Sequence, residues 1–409
     1  DGLPGMSTFA VEFLGCKVSL ADAQAVRERL AQDGHAEVAA AAARVRVVNT
    51  CCVTAEAVAK SRKAVRRAAR TADRVLVTGC AANLRDAGLG VAPNVTVLPV
   101  RAERLPAAAA GLVGDLGCVG GAAPPFARTR AYVKVQDGCS FACTYCVIPQ
   151  VRGASRSRAA DAVLAEVARR AAQGHREVVL TGINLGCFRD RGAGMRLPDL
   201  LVAVAEVPGI ERVRLSSIEV NHLTDALLDA LSHPRVAAHL HVPMQSGDDG
   251  VLRSMRRHYA AGGFLARMRR ARARVAGVNL TTDAIVGHPA ETEAAFAATL
   301  RTVEEAGFTK VHVFPYSPRP GTTDGDRPGV AAAAKRRRCA RLRELSDARG
   351  AAHRVAKRGR RERILVETAD GRGHADDMTA FVVAGAAPGT LVDVVAAGVD
   401  GDAVVGVPA

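Results

Sequence analysis

The chain has 409 residues, and its 48% hydrophobic and 24% charged content excludes wholesale disorder, collagen-like repeats and a coiled coil. The sequence has no run of roughly 18 apolar residues, and its first thirty residues carry charges where a secretory signal is apolar. A cytoplasmic protein without a membrane partner is therefore predicted. The net charge of +15 favours a polyanionic partner such as nucleic acid, although a genome rich in Arg and Ala codons would explain part of it.

Short apolar runs alternate with Ala- and Leu-rich helical patterns in the first hundred residues. This alternation predicts a doubly wound α/β domain with a parallel sheet. Helices are predicted near 20–32 and 54–71. The predicted strands are 9–14, 45–48, 75–78 and 95–98. A Pro-, Gly- and Ala-rich segment at 111–127 has the composition of a linker, so the N-terminal domain is expected to span 6–112.

A second series of strands follows the linker at spacings of about 30 to 45 residues. The predicted strands are 130–135, 177–182, 212–217, 239–243, 279–287 and 310–315. Six strands with five intervening helical stretches predict a partial (β/α)6 barrel over 125–330, with its chemistry at the carboxyl ends of the strands. A basic helical connector is predicted at 331–358. Short Val-rich strands separated by Gly and Asp then predict a small all-β domain at 359–409.

The densest motif of the sequence is a loop with three cysteines, Cys139, Cys143 and Cys146, directly after the first barrel strand. Soft thiolates select zinc or an iron–sulfur cluster. Zinc normally has a fourth ligand at a similar short spacing, which neither Cys118 nor Cys187 clearly provides. Three cysteines instead hold a 4Fe-4S cluster with one open iron. A zinc site with a distant fourth ligand, or simple buried thiols, remain alternatives.

A second set of cysteines lies in the N-terminal domain, where Cys16, Cys51 and Cys80 each follow a predicted strand. The carboxyl ends of parallel strands lie along one edge of a sheet, so three residues far apart in sequence can converge there. This placement predicts a second cluster site. The alternative is that these cysteines are small hydrophobic residues buried at strand ends.

The three-cysteine loop resembles the radical S-adenosylmethionine (SAM) superfamily, whose hallmark is Cys-x3-Cys-x2-Cys after the first barrel strand. Tyr145 occupies the aromatic position before the last cysteine. The resemblance implies that SAM binds the open iron of a 4Fe-4S cluster and that electron transfer releases a 5′-deoxyadenosyl radical.

Further blocks resemble the methylthiotransferase family of radical SAM enzymes. These blocks are GCKVSLAD (15–22), NTCCVT (49–54), LTGINLG (180–186), RLSSIE (214–219), HLHVPMQSGDDGVLRSMRRHY (239–259), DAIVGHPAETE (283–293) and HVFPYSPRPGT (312–322). The resemblance implies an N-terminal domain whose Cys16, Cys51 and Cys80 hold an auxiliary cluster, a radical SAM barrel, and a C-terminal TRAM domain. The implied cofactors are two 4Fe-4S clusters and SAM.

Besides Tyr145, the resemblance implies SAM contacts at strand ends in the matched blocks. The residues are Gly182, Glu219, Gln245 and Ser246. Glu219 or Gln245 has the chemistry to accept or share hydrogen bonds with ribose hydroxyls, and hydrogen bonding within the barrel is the alternative. Arg152 and Arg257 fit family positions near the active site, with salt bridges as the alternative. No catalytic residue beyond the cluster ligands is predicted.

The chain departs from the family pattern in three places. Ser19 stands where the family usually has Asn, and His288 and Ala290 alter a loop that the family pattern places near SAM. None of these residues is a cluster ligand, so the departures bear on cofactor affinity rather than on the type of reaction. Cys52 fills a variable family position, which makes Cys51 the expected ligand and Cys52 a bystander.

Basic residues follow Cys51 on one face of a predicted helix: Arg62, Lys63, Arg66, Arg67 and Arg70. Two more basic clusters, 335–338 and 358–363, flank the C-terminal domain. Each fits a contact with RNA phosphates, and a solvated protein surface is the alternative.

The resemblance implies a tRNA methylthiotransferase that adds a methylthio group at C2 of N6-threonylcarbamoyladenosine at position 37. The segment NTCCVT followed by AEAVAKSRKAVRRA resembles this branch of the family most. Methylthiolation of isopentenyladenosine or of a ribosomal protein is the alternative reaction, and an iron–sulfur RNA-binding protein is the alternative without catalysis. The expected partners are tRNA, SAM and an unidentified electron donor.

Overall fold

The computed structural model describes residues 7–84, 86–99, 104–114 and 128–409. These residues group into two compact units, each built from separate stretches of the chain. The first unit comprises the described residues up to Gly114 together with 137–155 and 317–325, and the second comprises 128–136, 156–316 and 326–409. Of the predicted linker at 111–127, residues up to Gly114 end a helix, and the remainder lies outside the described residues.

A five-stranded parallel sheet forms the centre of the first unit. Its strands, in spatial order, are Ala36–Glu37, Thr8–Phe13, Val45–Thr50, Arg74–Gly79 and Val95–Val97. All six residues of the middle strand are buried, which is typical of a parallel strand covered on both faces. The helices of this unit are Lys17–Gln32, Ala55–Ala69, Leu105–Gly114 and Ile148–Arg152.

The helix Ala55–Ala69 begins shortly after Cys51 because Thr54 caps its amino end. The Thr54 hydroxyl accepts a hydrogen bond from the backbone N–H of Ala57 at 3.0 Å. Such a cap satisfies one of the unpaired N–H groups of the first turn. The chain therefore leaves the sheet edge within a few residues of Cys51, as the predicted helix near 54–71 requires.

Six parallel strands of the second unit form the partial barrel. They make two three-stranded sheets, in the orders Arg130–Lys134, Glu177–Thr181, Arg212–Leu215 and His239–His241, Asn279–Val286, Lys310–Pro315. Isolated parallel bridges between Val213 and Val236 and between Ser217 and His241 connect the two sheets. The predicted α/β fold class with a partial barrel is confirmed.

Helices cover one face of these strands and bury its apolar residues. They are Ala160–Ala172, Leu197–Ala205, Asp225–Leu231, Asp249–Ser254, Ala261–Arg274 and Glu293–Ala306. The predicted basic connector forms the helix Ala332–Val355, which buries Cys339 and Leu342 in the same core. Among the described residues, no helix combines the length and apolar character needed to cross a lipid bilayer.

The C-terminal residues of the second unit form a small closed β-barrel, as the predicted all-β domain requires. Its strands, in spatial order, are Arg361–Val366, Arg372–His374, Ala380–Val383, Ala403–Pro408 and Leu391–Asp400. Ile364, Phe381, Val394 and Val404 fill its interior. Seven short segments complete the described structure: Ala81–Asn83, Gln136–Asp137, Arg156–Ser157, Leu185–Cys187, Arg189–Asp190, Met195–Arg196 and Val220–His222.

Candidate active site

Three cysteines of the first unit lie at the carboxyl ends of neighbouring parallel strands. Cys16 directly precedes the helix Lys17–Gln32, while Cys51 and Cys80 each follow the last residue of a strand. Burial raises the pKa of the Cys51 thiol, and the adjacent Cys80 and Cys16 thiols raise it further. The fold thus brings together three residues that are widely separated in sequence.

The close approach of Cys80 to Cys51 depends on Gly79. This glycine has φ +90°, and a Cβ atom there would lie 2.4 Å from the carbonyl oxygen of Thr50. The next residue, Cys80, donates its backbone N–H to the same carbonyl at 2.9 Å. A side chain at position 79 would therefore push apart the two strand ends that carry Cys51 and Cys80.

Cys80 is buried and has two side-chain partners in the first unit. Arg152 donates from Nε to the Cys80 sulfur at 3.1 Å. Hydrogen bonding from the Cys52 thiol and the charge of Arg152 lower the pKa of Cys80, while the same thiol–thiol contact raises the pKa of Cys52. Cys52 itself is fully buried within an apolar cluster. These two contacts favour the thiolate form of Cys80.

The three-cysteine loop also belongs to the first unit. Cys139 donates its backbone N–H to the Gly153 carbonyl at 3.0 Å, and Cys146 donates its own to the Cys143 carbonyl at 3.1 Å. The backbone N–H of Phe141 donates to the Cys139 sulfur at 3.4 Å. All three cysteines are half-buried.

The donor chemistry of both cysteine sets fits iron–sulfur clusters. Thiolates are the ligands of such clusters, and N–H groups directed at their sulfurs help to set the reduction potential. Phe141 provides one such N–H group to Cys139, and Arg152 provides another to Cys80. A bound 4Fe-4S cluster would supply one-electron chemistry, and this chain would hold it through Cys139, Cys143 and Cys146 in one set and through Cys16, Cys51 and Cys80 in the other.

The predicted SAM contacts of the second unit lie at or beyond the carboxyl ends of barrel strands. Gly182 follows the strand Glu177–Thr181, and a Cβ atom there would lie 3.0 Å from the side-chain oxygen of Gln136. Gln245 has φ +63°, a left-handed conformation that is unusual for a residue with a side chain. Its backbone N–H donates to the Asp283 carbonyl at 2.8 Å. Gln245 thus lies beyond the strand His239–His241 and is held by a parallel bridge to Ala284 of the neighbouring strand.

Glu219 and Ser246 both have protein partners. Glu219 is half-buried and forms an ion pair with Arg257, whose Nε donates to the Tyr259 hydroxyl at 3.2 Å. Ser246 is buried, and its hydroxyl accepts from the Asp248 backbone N–H at 3.2 Å. The predicted Arg257 thus contacts Glu219 within the barrel. Tyr145 is half-buried and lies in the first unit.

His288, a departure from the family pattern, is fully buried. Its ring packs edge-on against Tyr316 with 5.4 Å between ring centroids, and its Nδ1 accepts the backbone N–H of Ala290 at 3.2 Å. Glu291 accepts the backbone N–H of Gly287 at 3.0 Å. The altered loop is therefore held by hydrogen bonds within itself and by packing against Tyr316.

The predicted basic surfaces have acidic neighbours that the sequence did not reveal. Arg66 and Arg70 are exposed, but Arg67 pairs with Glu12 of the neighbouring strand. In the cluster 335–338, Arg338 is buried against Glu291 at 2.6 Å. The positive charge available to an RNA is thus smaller than the sequence indicates.

Sequence analysis missed a polar cluster on the barrel, formed by His241, Asp283 and His312. Their ligand-type atoms all lie within 4.8 Å of one another. The three residues lie on three neighbouring strands, in positions that alternate with core residues. The alternation in HLHV and KVHVF was the available signal, and only the strand register shows that the side chains meet.

Known protein families match most of the chain. The model of the radical SAM superfamily matches residues 133–303, and that of the uncharacterized protein family UPF0004 matches residues 8–98. The threonylcarbamoyladenosine tRNA methylthiotransferase MtaB of Chlamydia pneumoniae is 38% identical over 76% of this chain and 75% of its own. The protein of the same name from Thermotoga maritima is 35% identical over 88% of this chain and 87% of its own.

A relative with a different named substrate is equally similar. The tRNA-2-methylthio-N(6)-dimethylallyladenosine synthase of Sorangium cellulosum is 37% identical over 90% of this chain and 84% of its own. Among solved structures, the radical SAM methyltransferase TsrM from Kitasatospora setae has a TM-score of 0.57 and 14% identity, over 78% of this chain and 77% of that chain. At this identity the likeness shows the fold alone.

The relatives show that the chain belongs to the methylthiotransferase family of radical SAM enzymes. The resemblance seen in the sequence is confirmed. As a member of this family the protein is an enzyme that uses SAM and 4Fe-4S clusters.

Proposed function

We propose that this protein is a tRNA methylthiotransferase that converts N6-threonylcarbamoyladenosine at position 37 of tRNA into its 2-methylthio derivative. In this reaction the C2–H bond of the adenine is replaced by a C2–S bond to a methylthio group. One SAM gives its methyl group to a sulfide sulfur and leaves as S-adenosylhomocysteine. A second SAM is cleaved by one external electron into methionine and a 5′-deoxyadenosyl radical, which takes up the C2 hydrogen atom as 5′-deoxyadenosine. The cluster that Cys16, Cys51 and Cys80 would hold would supply the methylated sulfur and accept the one electron released when the C2–S bond forms. We place the reaction in the cytoplasm, where its tRNA partner occurs.

The observation that carries this proposal is the pair of cysteine sets in the first unit. Cys139, Cys143 and Cys146 lie in one loop, whereas Cys16, Cys51 and Cys80 come from three separate strand ends. An enzyme that only cleaved SAM would need the first set alone. A second set of three thiols supports a reaction that also requires a sulfur donor.

The experiment compares triple variants of the two sets in anaerobically reconstituted protein. Replacing Cys139, Cys143 and Cys146 by Ala is expected to remove about half of the iron and to abolish 5′-deoxyadenosine formation. Replacing Cys16, Cys51 and Cys80 by Ala is expected to preserve 5′-deoxyadenosine formation and to abolish the methylthio nucleoside, measured by mass spectrometry of digested tRNA. Cleavage of SAM by the first variant would contradict the assignment.

Cys52→Ser is the matched control for the second set. Cys52 is adjacent to Cys51 and fully buried, and its thiol hydrogen-bonds to Cys80; serine removes the sulfur but keeps a hydrogen-bond donor of similar size at this position. We expect this variant to keep its iron and its product, while Cys51→Ala loses both the auxiliary cluster and the product. An exchange of these two results would show that Cys52 is the ligand.

The tRNA substrate itself distinguishes the proposal from methylthiolation of isopentenyladenosine, the substrate type of the Sorangium cellulosum relative. The same assay with tRNA bearing each modification measures which one is converted. Product from isopentenyladenosine alone would replace the proposed substrate.

A further inference from the structure

The inner face of the partial barrel carries a polar cluster that the proposed reaction has not yet used. Leu240, Leu280 and Val311 on its last three strands belong to the core under the helices. Side chains alternate between the two faces of a strand, so the residues next to these point to the opposite, inner face. Two residues that alternate in this way are His241 and His312.

Register brings His241, Asp283 and His312 together on that face. His241 pairs with Thr281 and Asp283 pairs with His312 in the parallel ladders. The Nε2 atom of His241 lies 3.0 Å from Oδ1 of Asp283, and the rings of His241 and His312 have centroids 5.4 Å apart. These three residues are called the inner-face cluster below.

The Thr281 hydroxyl of the neighbouring strand orients the His241 ring. The Nδ1 atom of His241 lies 3.0 Å from this hydroxyl, so both nitrogens of the His241 ring have neighbours. His312 is exposed, and the Asp283 side chain retains 23% of its accessible surface. The cluster therefore combines one ring of fixed orientation with accessible polar groups, as a ligand site requires.

The cluster adjoins the part of the barrel where SAM contacts are expected. The carbonyl of Asp283 accepts the backbone N–H of Gln245 at 2.8 Å, and the Gln245 carbonyl accepts the N–H of Ile285 at 2.9 Å. A radical formed on SAM has to meet the adenine directly, so the adenine and its N6 substituent must come close to this end of the strands.

We infer that the inner-face cluster of His241, Asp283 and His312 binds the N6 substituent of the substrate adenosine, and that it selects a polar substituent with N–H groups and a carboxylate. This inference rests on the proposed function. A threonylcarbamoyl group has ureido N–H groups and a hydroxyl, which can donate hydrogen bonds to a carboxylate. It also has a carboxylate and a carbonyl, which can accept hydrogen bonds from imidazole N–H groups. Asp283 and the two histidines provide these complementary groups.

An isopentenyl group offers none of these partners. Placing a hydrocarbon against the inner-face cluster would remove water from a carboxylate and an imidazole without replacing its hydrogen bonds. Sites built to hydrogen-bond a substrate discriminate strongly against analogues that lack the polar group. The cluster thus distinguishes the two substrate types, whereas overall sequence identity to relatives of both types is nearly equal.

The test measures how much the N6 substituent adds to tRNA binding. Affinities of the reconstituted protein are determined for one tRNA that carries threonylcarbamoyladenosine and for the same tRNA with unmodified adenosine. We expect the wild type to prefer the modified tRNA, and His312→Gln or Asp283→Asn to reduce this preference by about tenfold to a hundredfold, because each loses hydrogen bonds to a charged or polar partner.

The matched control is His233→Gln. His233 also contacts a carboxylate, with Nε2 at 2.7 Å from Glu206, but it lies before the strand His239–His241, at the opposite end from Gln245. The His233→Gln variant should prefer the modified tRNA as strongly as the wild type does. His312 is exposed, so His312→Gln leaves the core intact and decides the question if Asp283→Asn fails to fold.

An unchanged preference in both cluster variants would overturn the inference. Two histidines and one carboxylate are also a ligand set for a divalent metal, so stoichiometric zinc or non-cluster iron that is lost in Asp283→Asn would overturn it in favour of a metal site. Product assays separate these failures from failure of the proposed function. Wild-type product from threonylcarbamoyladenosine with no effect in the variants rejects the inference alone, whereas the absence of any wild-type product rejects the proposed function.

Discussion

Both units contain buried arginines with several partners, and the partners of the guanidinium groups differ between the units. In the first unit, Arg152 bonds to two carboxylates and to the sulfur of Cys80. In the second unit, Arg212 and Arg214 share Glu177 and bond to backbone carbonyls. Buried arginine thus contributes to a candidate cluster site in the first unit, whereas in the second unit it connects strand ends to the C-terminal residues.

In the first unit, the contacts of Arg152 link elements that carry the candidate cluster ligands. Arg152 contacts Asp22 at 2.8 Å and Asp137 at 2.9 Å, while its Nε is directed at Cys80. Asp22 lies on the helix that follows Cys16, and Asp137 lies two residues before Cys139. One guanidinium therefore holds segments next to both cysteine sets, and its planar arrangement of donors suits three partners at once.

The arginine network of the second unit lies at the amino ends of the barrel strands, away from the carboxyl ends where SAM contacts are expected. Arg130, Glu177 and Arg212 are each the first residue of a strand. Arg212 and Arg214 extend to carbonyls and to Asp376 of the C-terminal residues, and Arg130 contacts Glu367 at 2.6 Å. The amino ends of the strands thus attach the small β-barrel, which leaves their carboxyl ends for chemistry.

The largest effect is expected for Glu177→Gln. This change leaves Arg212 and Arg214 buried with their shared negative charge removed, which should reduce the free energy of unfolding by about 3–5 kcal/mol. Urea denaturation followed by circular dichroism measures the change. Glu211→Gln is the matched control: its partner Arg176 lies 2.7 Å away, but both side chains are about half exposed, so the loss should stay below about 1 kcal/mol. Equal losses would show that burial does not separate the two pairs.

Acid should weaken the buried ion pairs of Glu177 with Arg212 and Arg214. Burial opposes ionisation of Glu177, but the charges of Arg214, Arg212 and Arg130 outweigh it and lower its pKa from 4.5 to about 2. Because the pKa of Glu177 is lower in the folded than in the unfolded state, its ionised form stabilises the folded state by about 3 kcal/mol above pH 4.5. This stabilisation is lost as the pH falls toward 2. The difference in unfolding free energy between the wild type and Glu177→Gln should therefore shrink by about 1 kcal/mol between pH 6 and pH 3.5. A constant difference would contradict the charge-based explanation.

Arg152→Lys tests the contacts of the buried arginine in the first unit. Lysine keeps the charge but cannot contact Asp22, Asp137 and Cys80 together, so the free energy of unfolding should fall by about 2 kcal/mol. The loss of an N–H···S bond should also lower the reduction potential of the auxiliary cluster, because such bonds stabilise its reduced, more negative state. Redox titration followed by electron paramagnetic resonance measures this potential.

The control for Arg152→Lys is Arg46→Lys. Arg46 is buried in the same unit and contacts Glu12 at 2.9 Å instead of a thiol. The Arg46→Lys variant should lose a similar amount of unfolding free energy without a change in the reduction potential of the auxiliary cluster. A shift of this reduction potential in both variants, or in neither, would show that Arg152 has no specific effect on the cluster.

Much of this architecture was predictable because its signals are local in sequence. The alternation of apolar runs and helical patterns located the strands to within a few residues. The close spacing of three cysteines in one loop indicated the first set, and the positions of Cys16, Cys51 and Cys80 after separate strands indicated the second. Contacts across long sequence distances gave no such signal: Arg152 and Asp22 are 130 positions apart, and Arg212 and Asp376 are 164 apart. Buried ionic residues at strand starts resemble ordinary polar ends until the register and the C-terminal barrel are known.

The smallest effect concerns the exposed arginines of the helix Ala55–Ala69 and its end. If tRNA phosphates contact this surface, affinity falls with salt by a log–log slope of roughly 0.7 to 0.9 for each contact, and Arg66→Gln with Arg70→Gln should reduce the slope by about 1 to 2. Arg67 already pairs with Glu12, so Arg67→Gln should change the slope less. Arg269→Gln, an exposed arginine paired with Glu305 in the second unit, is the control and should leave the slope unchanged. Filter binding of tRNA between 50 and 300 mM salt, on the order of the range over which such contacts weaken, measures all four proteins. An unchanged slope in the double variant would show that Arg66 and Arg70 face solvent and do not contact tRNA phosphates.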